Sequence, residues 1–226
     1  MLSIIIPVLN EEKALPVTLK HLLPQINNDE IIIVDGGSTD DTIQICENHA
    51  QIKLIHSEKG RAKQLNAGAN KATGDTLVFL HADTLLPTDA LKTIKNTLQN
   101  AHHQAGGFRH SFGSNDWRLK FISFLDNRRC LQTKIIYGDQ AMFIKRNLFE
   151  QLEGFPDVTH MEDIYFCEKL VQHTKPVILD LYVDTDPRKF IKMGVWCSLF
   201  RIAVIQSKHE LGIPVDNDYP FFANIR

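Results

Sequence analysis

The sequence predicts an α/β fold: one domain with a mostly parallel central sheet flanked by helices. Residues 2–8, "LSIIIPV", and 30–35, "EIIIVD", are continuous isoleucine-rich runs, the pattern of strands buried on both faces. Between them, "EKALPVTLKHLLPQ" sets Leu15, Leu19, Leu22 and Leu23 at helical spacing and completes a β-α-β unit. The alternation then repeats, and such an order buries its apolar faces as a parallel sheet with right-handed connections.

A helix is expected after "STDD", with Ser38 and Asp41 forming a capping box. Next come a short strand in "IKLIHS", a helix in "RAKQLNAGANKA", a strand in "DTLVFLHAD" and a helix from about Thr88 to Leu98. Past residue 100 the regularity weakens. "HHQAGGFRHSFG" reads as a loop entering an edge strand, and "WRLKFISFLDN" as an amphipathic helix. Helical spacing returns in "RNLFEQLEGF" and "EDIYFCEKLVQ", "PVILDLYVD" reads as a strand, and a final helix is expected over roughly residues 189–209. No internal repeat or linker divides residues 1–226.

Composition narrows the function classes. Of 226 residues, 43% are hydrophobic and 23% charged, and the net charge is -2, so the chain is globular and lacks the basic face of a nucleic-acid binder. Cys46, Cys130, Cys167 and Cys197 form no C-x-x-C pair, which favours a reduced cytoplasmic protein. "MLSIIIPVLNEE" meets Pro7 and Glu11 too early for a signal peptide, and no stretch approaches the roughly 18 apolar residues of a spanning helix. No glycine-rich phosphate loop follows the first strand, no H-E-x-x-H is present among the histidines, and no G-x-S-x-G elbow occurs.

In open α/β sheets ligands bind at the carboxyl ends of the strands. Three expected strand ends are acidic: "PVLNEE", "VDGGSTDD" and "LHADT". Asp35 precedes Gly36 and Gly37, which let the backbone turn close to a ligand. His81 and Asp83, two apart on a strand, would share a face, and one carboxylate suffices for a hard cation that also takes phosphate oxygens and water; a plain turn aspartate is the alternative. Lys59 and Arg61 flank a helix entrance suited to an anion. Glu162 and Asp163 open a helix, where they serve its dipole or, for Asp163, a general-base role. Gly138, Asp139 and Gln140 lie in a turn.

Taken in order, "SIIIPVLNEE", "IIIVDGGSTDDT", "KGRAKQLNAGANKATGD", "VFLHADT", "GDQAMFIKR" and "GFPDVTHMEDIYF" resemble the inverting family-2 glycosyltransferases of the GT-A fold, from residue 3 to about 172. Within them the chain looks most like a small bacterial branch of radical-SAM/selenodomain-associated transferases. The resemblance implies a GT-A-type Rossmann-like sandwich with a nucleotide-binding half over about 1–100, an acceptor and catalytic half over about 101–188, and a C-terminal helix over about 189–226. It also implies a nucleotide-diphosphate sugar donor, UDP favoured, and an acceptor hydroxyl. Pro7, Leu9, Glu11, Asp35, Gly37, Arg61 and Ala82 match nucleotide-binding positions. Asp83 matches the metal-binding end of D-x-D, implying Mg2+ or Mn2+. Asp163, with Glu162, matches the catalytic E-D pair, and His81, Gly138, Asp139 and Gln140 fall where sugar or acceptor contacts are expected. His81 stands where the family has its first D-x-D aspartate. The Q-x-x-R-W element of processive synthases is absent. A sugar nucleotidyltransferase and a non-catalytic nucleotide-sugar-binding subunit are the rival readings. The C-terminal "FIKMGVWCSLFRIAVI" is expected to pack on the core or pair two subunits, with contact at the inner membrane face as the alternative.

Overall fold

The computed structural model describes residues 1–213. Strand β1 (Leu2–Val8) is followed by α1 (Leu15–Leu22), β2 (Glu30–Asp35), α2 (Thr42–Glu47), β3 (Ile52–His56), α3 (Arg61–Lys71), β4 (Thr76–Phe79), β5 (Thr84–Leu85) and α4 (Ala90–Gln99). Then come β6 (Ala105–Ser111), α5 (Trp117–Thr133), β7 (Phe143–Lys145), α6 (Arg146–Gln151), α7 (Glu162–His173), β8 (Val177–Thr185), α8 (Arg188–Met193) and α9 (Val195–Glu210). The strands form one sheet in the order β3-β2-β1-β4-β7-β6-β8-β5. Its first four strands are parallel, whereas β7 runs antiparallel to both β4 and β6.

Burial on both faces explains the isoleucine runs. Ile4 and Ile6 of β1 join Ile31 and Ile33 of β2 in a core with Leu15, Leu19 and Leu22 of α1. Ile5, Ile32 and Val34 point the other way, into a second core with Ala62, Leu65 and Ala69 of α3 and with Phe149 and Phe166. Each fully buried Ile or Leu contributes about 1.5–3 kcal/mol relative to exposure.

Four expectations are corrected. The strand carrying "LVFLHADT" ends at Phe79, and Thr84 N donates to His81 O at 3.2 Å, so His81 and Asp83 lie in a turn and not on one strand face. The segment read as an edge strand, β6, is internal, with β7 on one side and β8 on the other; the apolar residues "AGGF" that looked loop-like are buried between them. The Ser38–Asp41 capping box is not formed: Asp41 makes no side-chain cap, Ser38 Oγ accepts from Asn10 N, and Asp40 takes up Thr42 N. The last helix is broken at Gly194, whose φ of 84° is open to glycine; of the expected span 189–226, residues 214–226 lie outside those described.

Candidate active site

The crevice is opened by α3. Gln64, buried on that helix, donates through Nε2 to Val8 O and Val34 O, both at 2.8 Å, and so ties the carboxyl ends of β1 and β2. The loops beyond them are laced together: Thr39 N donates to Asn10 Oδ1 at 2.7 Å and Glu11 N to Thr42 Oγ1 at 2.7 Å. Pro7 and Leu9 sit half-buried on this rim. Asp35 is 1% exposed and accepts from Gly37 N at 2.9 Å and Ser38 N at 3.0 Å. Burial pushes its carboxyl up, but hydrogen bonds from Ser38 and Gly37 together outweigh burial and hold it below the usual range. Gly37 has a φ of 98°, the conformation this turn requires.

Arg61 begins α3 and reaches across the crevice to Glu162 at the start of α7. Its Nε lies 2.6 Å from Glu162 Oε1, an ion pair whose acid is only 2% exposed. Arg61 Nη1 is 3.4 Å from His81 Nε2. Burial, then the charges of Arg61 and Lys189, push His81 down to about 3, so it meets Arg61 as a neutral acceptor. Next to Glu162, Asp163 Oδ2 accepts from Gly138 N at 2.6 Å. Gly138 must be small there, since a Cβ would lie 2.6 Å from His81 Nε2. Arg61, Glu162, Asp163, His81 and Gly138 are thus one connected group. Asp139 adjoins it, with Oδ2 3.6 Å from His110 Nε2. Gln140 is fully buried, and its side chain accepts from Tyr137 N and donates to Phe108 O, so the amide is occupied by backbone.

Asp83 belongs to the same crevice, because both it and Glu162 act on the Arg61 charge. Its nearest cation is Arg188, whose Nη2 lies 3.7 Å from Asp83 Oδ2 and 3.0 Å from Glu11 Oε2. Sequence reasoning missed Arg188, and with it Asp186 and Lys189. Two-residue β5 pairs with the end of β8, Thr84 opposite Thr185, and Asp186 N donates to Asp83 O at 3.1 Å. A pairing that spans such a sequence separation through two residues leaves no periodic signal; the acid-rich strand end "VDTDPRK" was the available hint. Ala82, buried, fixes the same turn by accepting from Thr18 Oγ1 at 2.7 Å.

The donor set can be tested against a metal. Among the described residues no three His, Cys, Asp or Glu side chains converge on one point. Burial raises the Asp83 carboxyl, Arg188 opposes that and Asp186 adds to it. Two neighbouring carboxylates, both partly open to solvent, fit a hard cation that keeps water and phosphate ligands, and not a zinc site built of side chains alone. Lys189, pushed down to about 8 by burial and by Arg61 with Asp83 opposing, adds a cation to this wall. The crevice therefore brings together a wall of cations, the carboxylates of Asp83 and Asp186, and an Asp163 carboxylate held by a backbone N–H.

Residues 3–153 match the family described as Glycosyl transferase family 2. An uncharacterized glycosyltransferase of Haemophilus influenzae is 27% identical over 233 residues, covering 97% of this chain and 87% of its own length. An undecaprenyl-phosphate 4-deoxy-4-formamido-L-arabinose transferase of Photorhabdus laumondii is 30% identical, over 85% of this chain but 58% of its own. In structure the chain is similar to a mannosyltransferase from Pyrobaculum calidifontis, in complex with GDP-Man and Mn2+, with a TM-score of 0.69, 24% identity and coverage of 91% of this chain and 61% of that one. It is also similar to the glucosyl-3-phosphoglycerate synthase of Mycobacterium tuberculosis, in complex with Mn2+, UDP-Glc and phosphoglyceric acid, with a TM-score of 0.68, 15% identity and coverage of 96% and 81%. The fold is that of these GT-A proteins, and the chain spans less than two thirds of the Photorhabdus and Pyrobaculum proteins. The chain is a glycosyltransferase and belongs to glycosyl transferase family 2.

Proposed function

We propose that the chain is a non-processive, metal-dependent, inverting glycosyltransferase that moves a sugar from a nucleoside diphosphate, UDP favoured, to an acceptor hydroxyl. The observation that carries this is Asp163, held by the Gly138 N–H at 2.6 Å beside the Arg61–Glu162 pair. Pro7, Leu9, Glu11, Asp35, Gly37 and Ala82 line the nucleotide end, and Arg61, Arg188 and Lys189 face the diphosphate. Gly138 and Asp139 are left as the sugar-facing residues, because the Gln140 amide is occupied. His81 orients Arg61 as a neutral acceptor. Asp83, with Asp186 beside it, would hold Mg2+ or Mn2+, which when bound stabilises charge on the departing diphosphate. The acceptor oxygen bonds to the anomeric carbon from behind while the carbon–oxygen bond to diphosphate breaks. The electron pair leaves with the diphosphate, and the acceptor proton passes to Asp163. The order of the motifs supports placing the chain in the radical-SAM/selenodomain-associated branch. Asp163→Asn should lower transfer about 10²- to 10⁴-fold with donor affinity little changed; near-normal turnover would remove Asp163 as base.

A further inference from the structure

We infer that the outer faces of α5 and α9 form a docking surface for an anionic phospholipid bilayer, so that the chain works at a membrane surface. This goes beyond the glycosyltransferase reading and does not depend on it. Both helices are packed on one side: Leu119 and Ile122 of α5 join Val195 of α9 and Phe112 in a small core, with Phe190 and Leu199 against it. A helix packed in this way ordinarily turns polar residues to water. Here the opposite side of α5 carries Trp117, Phe121 and Phe124 at helical spacing, and that of α9 carries Trp196 and Phe200, four residues apart. Trp117 is 67% exposed, Phe124 58% and Phe200 69%. The two indoles meet with ring centroids 5.8 Å apart, so the two stripes join into one patch. A contiguous exposed apolar patch marks an interaction surface.

The charges beside the patch indicate the partner. On α5, Arg118 is answered by Asp116 and Arg129 by Asp126, while exposed Lys120 and Arg128 form no ion pair among the described residues. Lys120 follows Trp117 by three residues and Arg128 follows Phe124 by four, so both stand on the aromatic side of the helix. From Val195 to His209, α9 carries Arg201 and Lys208 and no aspartate or glutamate. The whole chain has 25 Lys and Arg against 27 Asp and Glu, so this cationic excess is local. Aromatic side chains bordered by cations are what an interfacial helix presents to anionic lipid: the rings enter the boundary between headgroups and acyl chains, and Lys and Arg meet the phosphates. A second copy of the chain fits less well, because a two-fold contact through this patch would set Lys120 and Arg128 of one protomer near the same cations of its partner. No helix among the described residues is long and apolar enough to cross a membrane, and the contact inferred is one of surface docking.

The same two helices hold the catalytic loop. Arg129 of α5 lies over the Tyr137 ring at 3.4 Å and donates through Nη1 to Ile135 O at 2.9 Å, and Gln206 of α9 donates to the Tyr137 hydroxyl. Tyr137 precedes Gly138, whose N–H holds Asp163. The elements that rest on the bilayer therefore also grip the segment that positions the base.

The test uses the full chain and phosphatidylcholine vesicles with and without phosphatidylglycerol. Sedimentation should recover the chain with the vesicles that contain phosphatidylglycerol, less so as salt is raised, and not with phosphatidylcholine alone. Both tryptophans of the chain lie on the patch, so intrinsic fluorescence reads the contact itself. Emission should shift to the blue on binding and be quenched by lipid brominated on its acyl chains. The Lys120→Gln, Arg128→Gln double variant should weaken vesicle binding about tenfold or more, and the Phe121→Ser, Phe200→Ser double variant should remove the quenching. All four side chains are exposed, so both variants should unfold at the same temperature as the wild-type chain. Equal binding to both kinds of vesicle, binding to neither, or undiminished binding by the Lys120→Gln, Arg128→Gln variant overturns the proposal. So does a dimer in light scattering that Phe121→Ser, Phe200→Ser dissociates while vesicles go unbound, a result that would assign the patch to a second copy.

Discussion

Arg61 faces Glu162 and His81, and feels Asp163, Asp139 and Asp83 as well. Removing it strands a carboxylate that is 2% exposed. Arg61→Ala should therefore destabilise toward the lower end of about 3–5 kcal/mol, because Arg61 itself keeps some solvent contact. Chemical denaturation would measure it, and Glu162→Gln in the same background should recover part of the loss by removing the unpaired charge. Asp139 makes a second prediction at this scale. Burial raises its carboxyl to about 6, with His110 opposing and Asp126 and Asp163 adding. The folded chain keeps this proton while the unfolded chain releases it nearer the ordinary carboxylate range, so stability falls as pH rises from about 4 through about 6 and levels off above. Asp139→Asn should flatten that slope and raise Tm above pH 7 by about 2–4 °C, a gain of about 1 kcal/mol for a side chain one-third exposed. The residue types at this site were legible in the motifs; their partners were not. Asp163 was readable in "MEDIYF", but the Gly138 N–H that holds it comes from 25 residues away.

At the scale of elements, α3 does the positioning. It lies on β1 and β2 because Gly68 lets it approach closely: a Cβ there would sit 2.4 Å from Ile5 Cγ2 and 3.0 Å from Val34 Cγ2. Gly68→Ala gains helix propensity of up to about 1 kcal/mol but overpacks a rigid core, which costs about 1–3 kcal/mol. A net loss of stability in thermal unfolding is expected, with weaker donor binding because Arg61 starts the same helix. Element type was readable where a period was sustained over several turns, as in α3 and α7. At β6 a strand was expected, but as an edge strand entered by a loop, because two glycines and a histidine mimic loop chemistry although both neighbours bury it; the two-residue β5 was too short to show any period. Gly194 split the final helix because its positive φ outweighed the apolar spacing on either side.

At the scale of the molecule, the sheet gathers strand ends that lie far apart in sequence. Glu11 after β1, Asp35 at the end of β2, Asp83 after β4 and Asp186 after β8 all reach one crevice, and Arg188 bridges three of these acids. If Asp83 holds a divalent cation, Mn2+ should raise the Tm gained from a nucleotide sugar, because a ligand stabilises by RT ln(1 + [L]/Kd) and tighter binding lowers Kd. Chelator or Asp83→Ala should abolish that increment while leaving the Tm of the protein alone little changed. An increment insensitive to both would remove Asp83 from that role.

By itself the sequence determined the alternation of strands and helices, the two-faced core and the order of the acidic motifs, since these depend on local periodicity and on residue type. Tertiary structure alone decided that Arg188 and Asp186 join Asp83 and that Gln140 faces the core. Each depends on strand pairings and helix approaches between residues distant along the chain. Such contacts are selected by the burial of the whole sheet and leave no local pattern to read.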